Sequence, residues 1–393
     1  MKLFLQLVGA MVVALIIVIF ALYLYIRWKF RSVFEGFAEA LKNLGGAQIP
    51  PFRVKLLRKT EYFGDDPGEY EDILEHREEF MARVDEFTSL DFEKIDDYYI
   101  EDIPLSMTAF VDRNASIYGV VYDHPFAGVW CDVVRRYEDG SSWTFGTNRD
   151  PLMDYPVNKT IKFFPDLPLA EVVEKFKAEA PSENAILVSN EEFPRFFEKA
   201  YAKEMDWRIE RGGATEAEIR RICDRDEMEC TPKHIQTIQM QWRVAIAEFQ
   251  QERILRRYRK DAELSHSDWD QLEYEGVVVY QQMQAEEILQ AFDDEFVPDI
   301  GYEFGDDEED NAEFRAMISG WERKLDEIRE QLKTDPPQTI FRRLVENSDR
   351  PEVEWEFKAS VDKPIPADIW LRHWKDEDDD RYDDPYDEDD WDD

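Results

Sequence analysis

The sequence predicts an α+β chain: an N-terminal single transmembrane helix, an antiparallel β-meander with flanking helices, a mainly helical second module, and a disordered acidic C-terminal tail. Three observations lead there. Residues 3–26 form an unbroken apolar run in which Gln6 is the only strongly polar side chain. Between Asp97 and Thr147 the apolar residues recur with period two, whereas long stretches on either side carry helical spacing. The last 18 residues, Asp376–Asp393, hold 13 acids and cannot form a core.

At 1.5 Å per residue the apolar run exceeds the roughly 30 Å hydrocarbon core of a bilayer. Tyr23–Trp28 offers no small-residue cleavage site, so the run reads as an anchor and not a cleaved signal. Arg27, Trp28, Lys29 and Arg31 form its membrane flank, and the positive-inside rule then places the N-terminus outside and the body in the cytoplasm. Three cysteines, an odd and sparse count, agree with a reducing compartment. The net charge is −41, yet residues 1–60 hold nine Lys/Arg against only Glu35 and Glu39, so the acidity belongs to the rest of the chain. Such a body repels nucleic acid and suits a basic protein partner, met through the acidic tail. Adaptation to high salt is the other source of such acidity. The expected partners are the bilayer, through residues 3–26, and that basic protein; no cofactor is expected.

Composition shifts and turns divide the chain into an anchor with its basic flank (1–31), an amphipathic and basic juxtamembrane segment (32–63), an α+β antiparallel sheet domain (64–181), a helical domain (182–335), a strand or irregular segment (336–375) and the tail (376–393). In the sheet domain Tyr70–Phe87 reads as a helix with Phe80, Val84 and Phe87 on one face. Strand-like runs follow at 98–100, 106–111, 116–123, 129–137 and 141–147, joined by short turns such as Glu138-Asp139-Gly140. Short connections imply antiparallel neighbours. In the 116–123 run both Ile117/Gly119/Val121 and Tyr118/Val120/Tyr122 are apolar, which predicts a central strand covered on both faces. In outline the unit is similar to a cystatin-like roll. Residues 160–164 add a strand, and Pro168 opens a helix through Phe176.

Helical spacing resumes with Phe193, Phe196, Phe197, Ala200 and Met205, stopped by Gly212-Gly213. Thr215 with Glu218 makes a capping box. Further helices are expected over 233–260 and 267–292, with a charged loop at 306–310. Met317, Trp321, Leu325, Ile328 and Leu332 then mark an amphipathic helix. Residues 352–360 read as a strand.

The chemistry-bearing residues are few. Five histidines, no two within a helical turn, exclude a His-Glu-x-x-His zinc site. Cys223, Cys230 and His234 are metal candidates, though their spacing matches no common finger. His124, Cys131 and Asp132 are the catalytic candidates, because antiparallel pairing could bring His124 toward a thiol or carboxyl. Alternation, however, puts Cys131 on the face of Val129 and Val133, as a core residue. No Walker-type loop and no Gly-x-Gly-x-x-Gly is present.

Three functions fit. The first is a non-catalytic interaction or scaffold protein presenting both modules at a membrane face. The second is a membrane-tethered hydrolase working around His124, Cys131 and Asp132. The third is a polyanion-mimicking inhibitor or chaperone-like protein acting through the tail. A pocket lined by His124, Asp132 and Tyr122 favours the enzyme; a filled sheet face favours the binding module.

Overall fold

In the computed structural model, which describes residues 49–63, 73–100, 103–296, 308–363 and 365–375, the alternating segment becomes a sheet. The chain forms two compact units, one ending at Trp242 and the next beginning at Arg243. The first contains β1 (Leu56–Arg58), α1 (Lys59–Phe63), α2 (Arg77–Ser89), β2 (Glu93–Ile100), β3 (Leu105–Asp112), β4 (Ile117–His124), β5 (Gly128–Tyr137), β6 (Ser142–Gly146), β7 (Lys159–Phe163), α3 (Leu169–Glu179), β8 (Ala185–Ile186), α4 (Phe193–Glu210) and α5 (Glu216–Arg225). Strands β1 to β7 lie side by side in chain order, and β8 pairs with β5. All pairs are antiparallel except β6–β7, which run parallel. The sheet is therefore mixed, a correction to the purely antiparallel meander. Residues 147–158 are long enough to carry the chain back to the starting end of β6, as a parallel neighbour requires.

One face of this sheet is closed by aromatic packing. Ile117, Val121, Cys131, Val133 and Phe145 meet Phe80 and Phe87 of α2 and Leu169, Val172 and Phe176 of α3. Phe87 stacks on Phe110 with centroids 5.1 Å apart, and Phe145 meets Phe176 edge-on at 5.1 Å. Gly119 makes room for the Phe87 ring, since a Cβ there would stand 2.3 Å from it. Each such buried aromatic contributes roughly 1.5–3 kcal/mol. The other face, with Tyr98, Met107, Tyr118, Val120 and Tyr122, lies under Phe193 of α4. The sequence reading groups α4 with the helices that follow it; in the fold it covers this sheet. It is tied to the segment around β1 by an Arg53–Asp206 ion pair at 2.6 Å and by the Leu56 N–H donating to Glu198 at 2.8 Å. The capping box forms at α5: the Thr215 hydroxyl accepts from the Glu218 N–H at 3.3 Å, and the Thr215 N–H donates to the Glu218 carboxylate at 2.6 Å.

Helix α6 (Pro232–Asp261) contains the division between the units, and its Trp242 packs edge-on against Phe52 of the first unit at 6.3 Å. The second unit continues with α7 (His266–Glu275), β9 (Gly276–Tyr280), α8 (Ala285–Phe292), α9 (Glu308–Gln331), α10 (Pro337–Glu346), β10 (Val353–Val361) and β11 (Ala367–Trp374). Strands β10, β11 and β9 form an antiparallel three-stranded sheet in that order. Between residues 182 and 335 the described elements are helices apart from the short β8 and β9, and β10 lies where the strand over 352–360 is expected. Trp321, Leu325 and Ile328 of α9 are buried, as their spacing predicts, among Ile288, Leu289, Phe341 and Ile369. The charged segment at 306–310 is not simply a loop, because Glu308, Glu309 and Asp310 open α9.

No helix among the described residues is long and apolar enough to cross a membrane. The expected span at 3–26, its flank Arg27, Trp28, Lys29 and Arg31, and the amphipathic segment behind it lie outside the described residues, as does the acidic tail 376–393. The single-pass membrane placement with a cytoplasmic body is thus corrected: the described fold holds no element that supports it.

Candidate functional site

A cavity of about 290 Å³ opens between α4 and the face of the sheet that carries Tyr118, Val120 and Tyr122. Strand alternation decides what reaches it. From β5 come Trp130, Asp132, Val134 and Arg136; from β6, Ser142 and Thr144; from β7, Lys159, Ile161 and Phe163. The β6–β7 connection contributes Asn148 and Tyr155, and α4 contributes Phe196, Phe197, Ala200, Tyr201 and Glu204. The walls are largely aromatic, with a few convergent polar groups, which is the usual make-up of a small-molecule site.

The polar groups fall into two clusters. At one, Asp132 is enclosed by protein and its accessible surface faces the cavity. Burial pushes its carboxyl up to about 7, against the Tyr122 hydroxyl hydrogen bond, which favours the ionised form. The Tyr122 phenol is raised well above its ordinary range, first by burial and then by the Asp132 charge. Its ring is held by stacking on Trp130, centroids 4.8 Å apart and planes 19° from parallel. Across the ladder Asp132 faces Gly146. A Cβ at 146 would stand 3.0 Å from Asp132 Oδ1 and 2.5 Å from Asn148 Oδ1, so glycine leaves the space those two side chains occupy. Asn148 Oδ1 is buried and has no hydrogen-bond partner among the described residues.

At the other cluster, Lys159 and Glu204 form an ion pair at 2.6 Å, and Arg208 donates to the second Glu204 oxygen at 3.0 Å. Burial favours neutral Glu204, but the two cations outweigh it and hold the carboxyl below its usual range. Burial lowers Lys159 despite Glu204. Arg136 is different. Burial lowers its guanidinium as well, and Glu204 is the one carboxylate among the groups that act on it. It lies over the Phe196 ring at 5.4 Å and makes no hydrogen bond or ion pair among the described residues. A half-buried guanidinium that faces a cavity without an ion pair has the donor geometry to take a carboxylate or phosphate.

Of the catalytic candidates, only Asp132 lines the cavity. Cys131 points to the opposite face, fully buried among Val121, Val133 and Phe145, and burial pushes its thiol far up. Adjacent residues on a strand cannot share a face. His124 ends β4, where its Nδ1 accepts the N–H groups of Phe126 and Ala127 at 3.1 Å, and burial lowers its basicity. It serves the hairpin and does not line the cavity. The hydrolase arrangement of His124, Cys131 and Asp132 is therefore not assembled. Cys223 is buried in α5, where burial and a hydrogen bond from Cys230 push its thiol up to about 11. His234 Nε2 is buried without a hydrogen-bond partner among the described residues. Among the described residues no group of three or more His, Cys, Asp or Glu could hold a metal, so these three do not come together as a site.

The sequence reading missed Arg136, Asn148, Tyr155, Lys159 and Glu204. One signal was present: Asp132 and Arg136 share a face of a strand whose neighbour β4 is apolar on that same face. Comparison with known protein families, with curated proteins and with solved structures finds no match for this chain.

Proposed function

We propose that the first unit is a small-molecule-binding module, and that its ligand is an elongated organic anion with an aromatic or otherwise apolar body. The expectation of an interaction protein narrows, on this reading, to capture of a small molecule. The observation that carries it is Arg136, a half-buried cation that faces the cavity and makes no hydrogen bond or ion pair among the described residues. An unpaired buried charge costs stability, and such a cost is commonly retained where a ligand completes the pair. Tyr122, Trp130, Tyr155, Phe196 and Phe197 supply the apolar walls, and Asp132 with Tyr122 supplies a second polar end. Arg136 stands four residues from Asp132 on the same strand, about 13 Å between their backbones at 3.3 Å per residue, and since both side chains line the cavity the ligand is an elongated one, on the scale of a para-substituted ring.

The test compares 4-acetylbenzoate with its neutral analogue 4-acetylbenzamide, reading binding to the full chain by saturation-transfer NMR. The carboxylate is expected to bind and the amide not. Arg136→Met is expected to weaken carboxylate binding at least about tenfold, the loss of one charge-assisted contact. The same variant is expected to unfold at an equal or higher urea concentration, because a half-buried charge without an ion pair has gone. Equal binding of acid and amide, or an Arg136→Met variant that binds like wild type, would remove Arg136 as the anion group and the reading with it.

A further inference from the structure

We propose that Asp132 and Tyr122 are a proton-transfer pair that enolises the carbonyl-bearing end of an elongated organic acid, whose anionic end is held by Arg136. The proposal rests on the ligand-binding reading above and assigns chemistry to the far end of the same cavity.

The pair is built, not incidental. Tyr122 and Asp132 lie on neighbouring strands and project from one face, Tyr122 opposite Trp130 and Asp132 opposite Val120. Stacking on Trp130 fixes the phenol ring, and its hydroxyl is hydrogen-bonded to the carboxyl. The absent side chain at Gly146 leaves Asp132 and Asn148 side by side at the cavity wall. Asp132 belongs to no ion pair among the described residues. The charge that acts on it is Glu204, which is already committed to Lys159 and Arg208. A ligand can therefore take up the Asp132 carboxyl without breaking a salt bridge. With its pKa near 7, both the base and the acid form are populated at neutral pH, the condition a two-way proton carrier needs. Tyr122 keeps its proton and remains a donor.

The step is balanced within the substrate and the pair. With the carbonyl oxygen at the Tyr122 hydroxyl, the Asp132 carboxylate takes a proton from the adjacent carbon. The C–H electron pair becomes the C=C bond, and the carbonyl π pair moves to oxygen, where the Tyr122 O–H stabilises the enolate. Asp132, now the acid, returns a proton to carbon. No oxidant, reductant or second substrate is consumed. The substrate class is a carboxylate-bearing ketone or aldehyde with an acidic C–H beside its carbonyl, remote from the carboxylate.

The test uses the full chain in deuterated water with 4-acetylbenzoate, which carries a carboxylate and an enolisable methyl ketone at opposite ends of one ring. Proton NMR follows loss of the acetyl signal to deuterium, and saturation transfer reads binding in the same tube. Wild type is expected to exchange the acetyl protons faster than buffer, with a rate that rises with pH through about 7 as the base form of Asp132 accumulates. Asp132→Asn is expected to retain binding through Arg136 and to lose exchange of bound probe by a factor on the order of 10²–10⁴, the usual range for removing a general base. Tyr122→Phe is expected to bind and to exchange about tenfold more slowly. Asp132→Glu is expected to recover part of the rate. If wild type binds the probe but exchanges it no faster than buffer, or if Asp132→Asn exchanges like wild type, the proton-transfer pair is overturned while the binding reading stands. If wild type does not bind the probe at all, both fall together.

Discussion

Arg135 and Arg136 are neighbours on β5 and end on opposite faces of one sheet, and everything around them differs. Arg135 is buried on the aromatic face, where its terminal nitrogens donate to the carbonyls of Ala180, Pro181 and Ala115 at 2.6, 2.8 and 2.9 Å. Its charge is met by backbone dipoles, and it staples the end of α3 to the sheet. Arg136 has a ring beneath its guanidinium and open volume in front. The first face is filled by its own side chains; the second keeps open volume in front of Arg136. One cation is buried and held by three carbonyls; the other is half-buried, rests on the Phe196 ring and makes no hydrogen bond or ion pair among the described residues.

The largest expected effect on this contrast comes from Phe87, fully buried between Phe92 and Phe110 on the closed face. Phe87→Ala is expected to cost about 3–5 kcal/mol in urea unfolding, the range for truncating a buried aromatic in a filled core. Phe196→Ala, beside the cavity, is expected to cost less than half as much, since the space it leaves adjoins space already open. Equal losses would mean that the two faces are packed alike.

Next is the pH dependence of stability set by Asp132. Its carboxyl titrates near 7 when folded and near 3.9 when unfolded, so between those values the folded state binds the extra proton. Stability therefore falls as pH rises through that window, and the loss is complete above the folded value. The full change is on the order of 4 kcal/mol. Comparing Asp132→Asn with wild type in urea is expected to show little difference at pH 4 and an advantage of that order for the variant at pH 8. A difference that stays flat would show that the cavity hydrates Asp132 well enough to erase the penalty of burial.

The smallest expected effect is the sharpest comparison, because the same methyl group is added to each face. At Gly119 a Cβ meets the Phe87 ring at 2.3 Å within a closed core; at Gly146 it meets the tips of Asn148 and Asp132 beside open volume. Gly119→Ala is expected to cost about 1–3 kcal/mol and Gly146→Ala under about 1 kcal/mol, as overpacking is relieved only where side chains can swing away. Urea unfolding of both variants measures this, and a reversed order would contradict the assignment of the two faces.

Much of the sheet was legible because period-two alternation is a local property. Runs at 106–111, 116–123 and 129–137 match β3, β4 and β5 closely, and apolar residues on both faces of β4 correctly implied cover on both. Helix α9 was legible for the same reason at its own period. The missed elements depend on distant residues or on short signals. Gly276-Val277-Val278-Val279-Tyr280 is a β-branched run too brief to stand out between two helical segments, so α7, β9 and α8 read as one helix. β11 owes its place to pairing with both β10 and β9, one of them nearly ninety residues upstream. In the site, Asp132 was singled out on chemical grounds, but its grouping with His124 and Cys131 fails on alternation and on the hairpin role of His124. Arg136 escaped because a charge near a strand end reads as solvated, and only α4, beginning at Phe193, encloses it.

The alternation of β5 carries one further consequence, for how the chain avoids misfolding. Along this strand Cys131 and Val133 belong to the closed face, Asp132 and Arg136 to the cavity. A slip of one residue against β4 would exchange the two sets, driving a carboxyl and a guanidinium against Phe87, Phe110 and Phe145 with nothing to pair them. Charges forced unpaired into such a core cost several kcal/mol each. The polar residues of the cavity therefore also act as a lock on strand alignment: groups that sit beside open volume in the native sheet make the shifted sheet untenable.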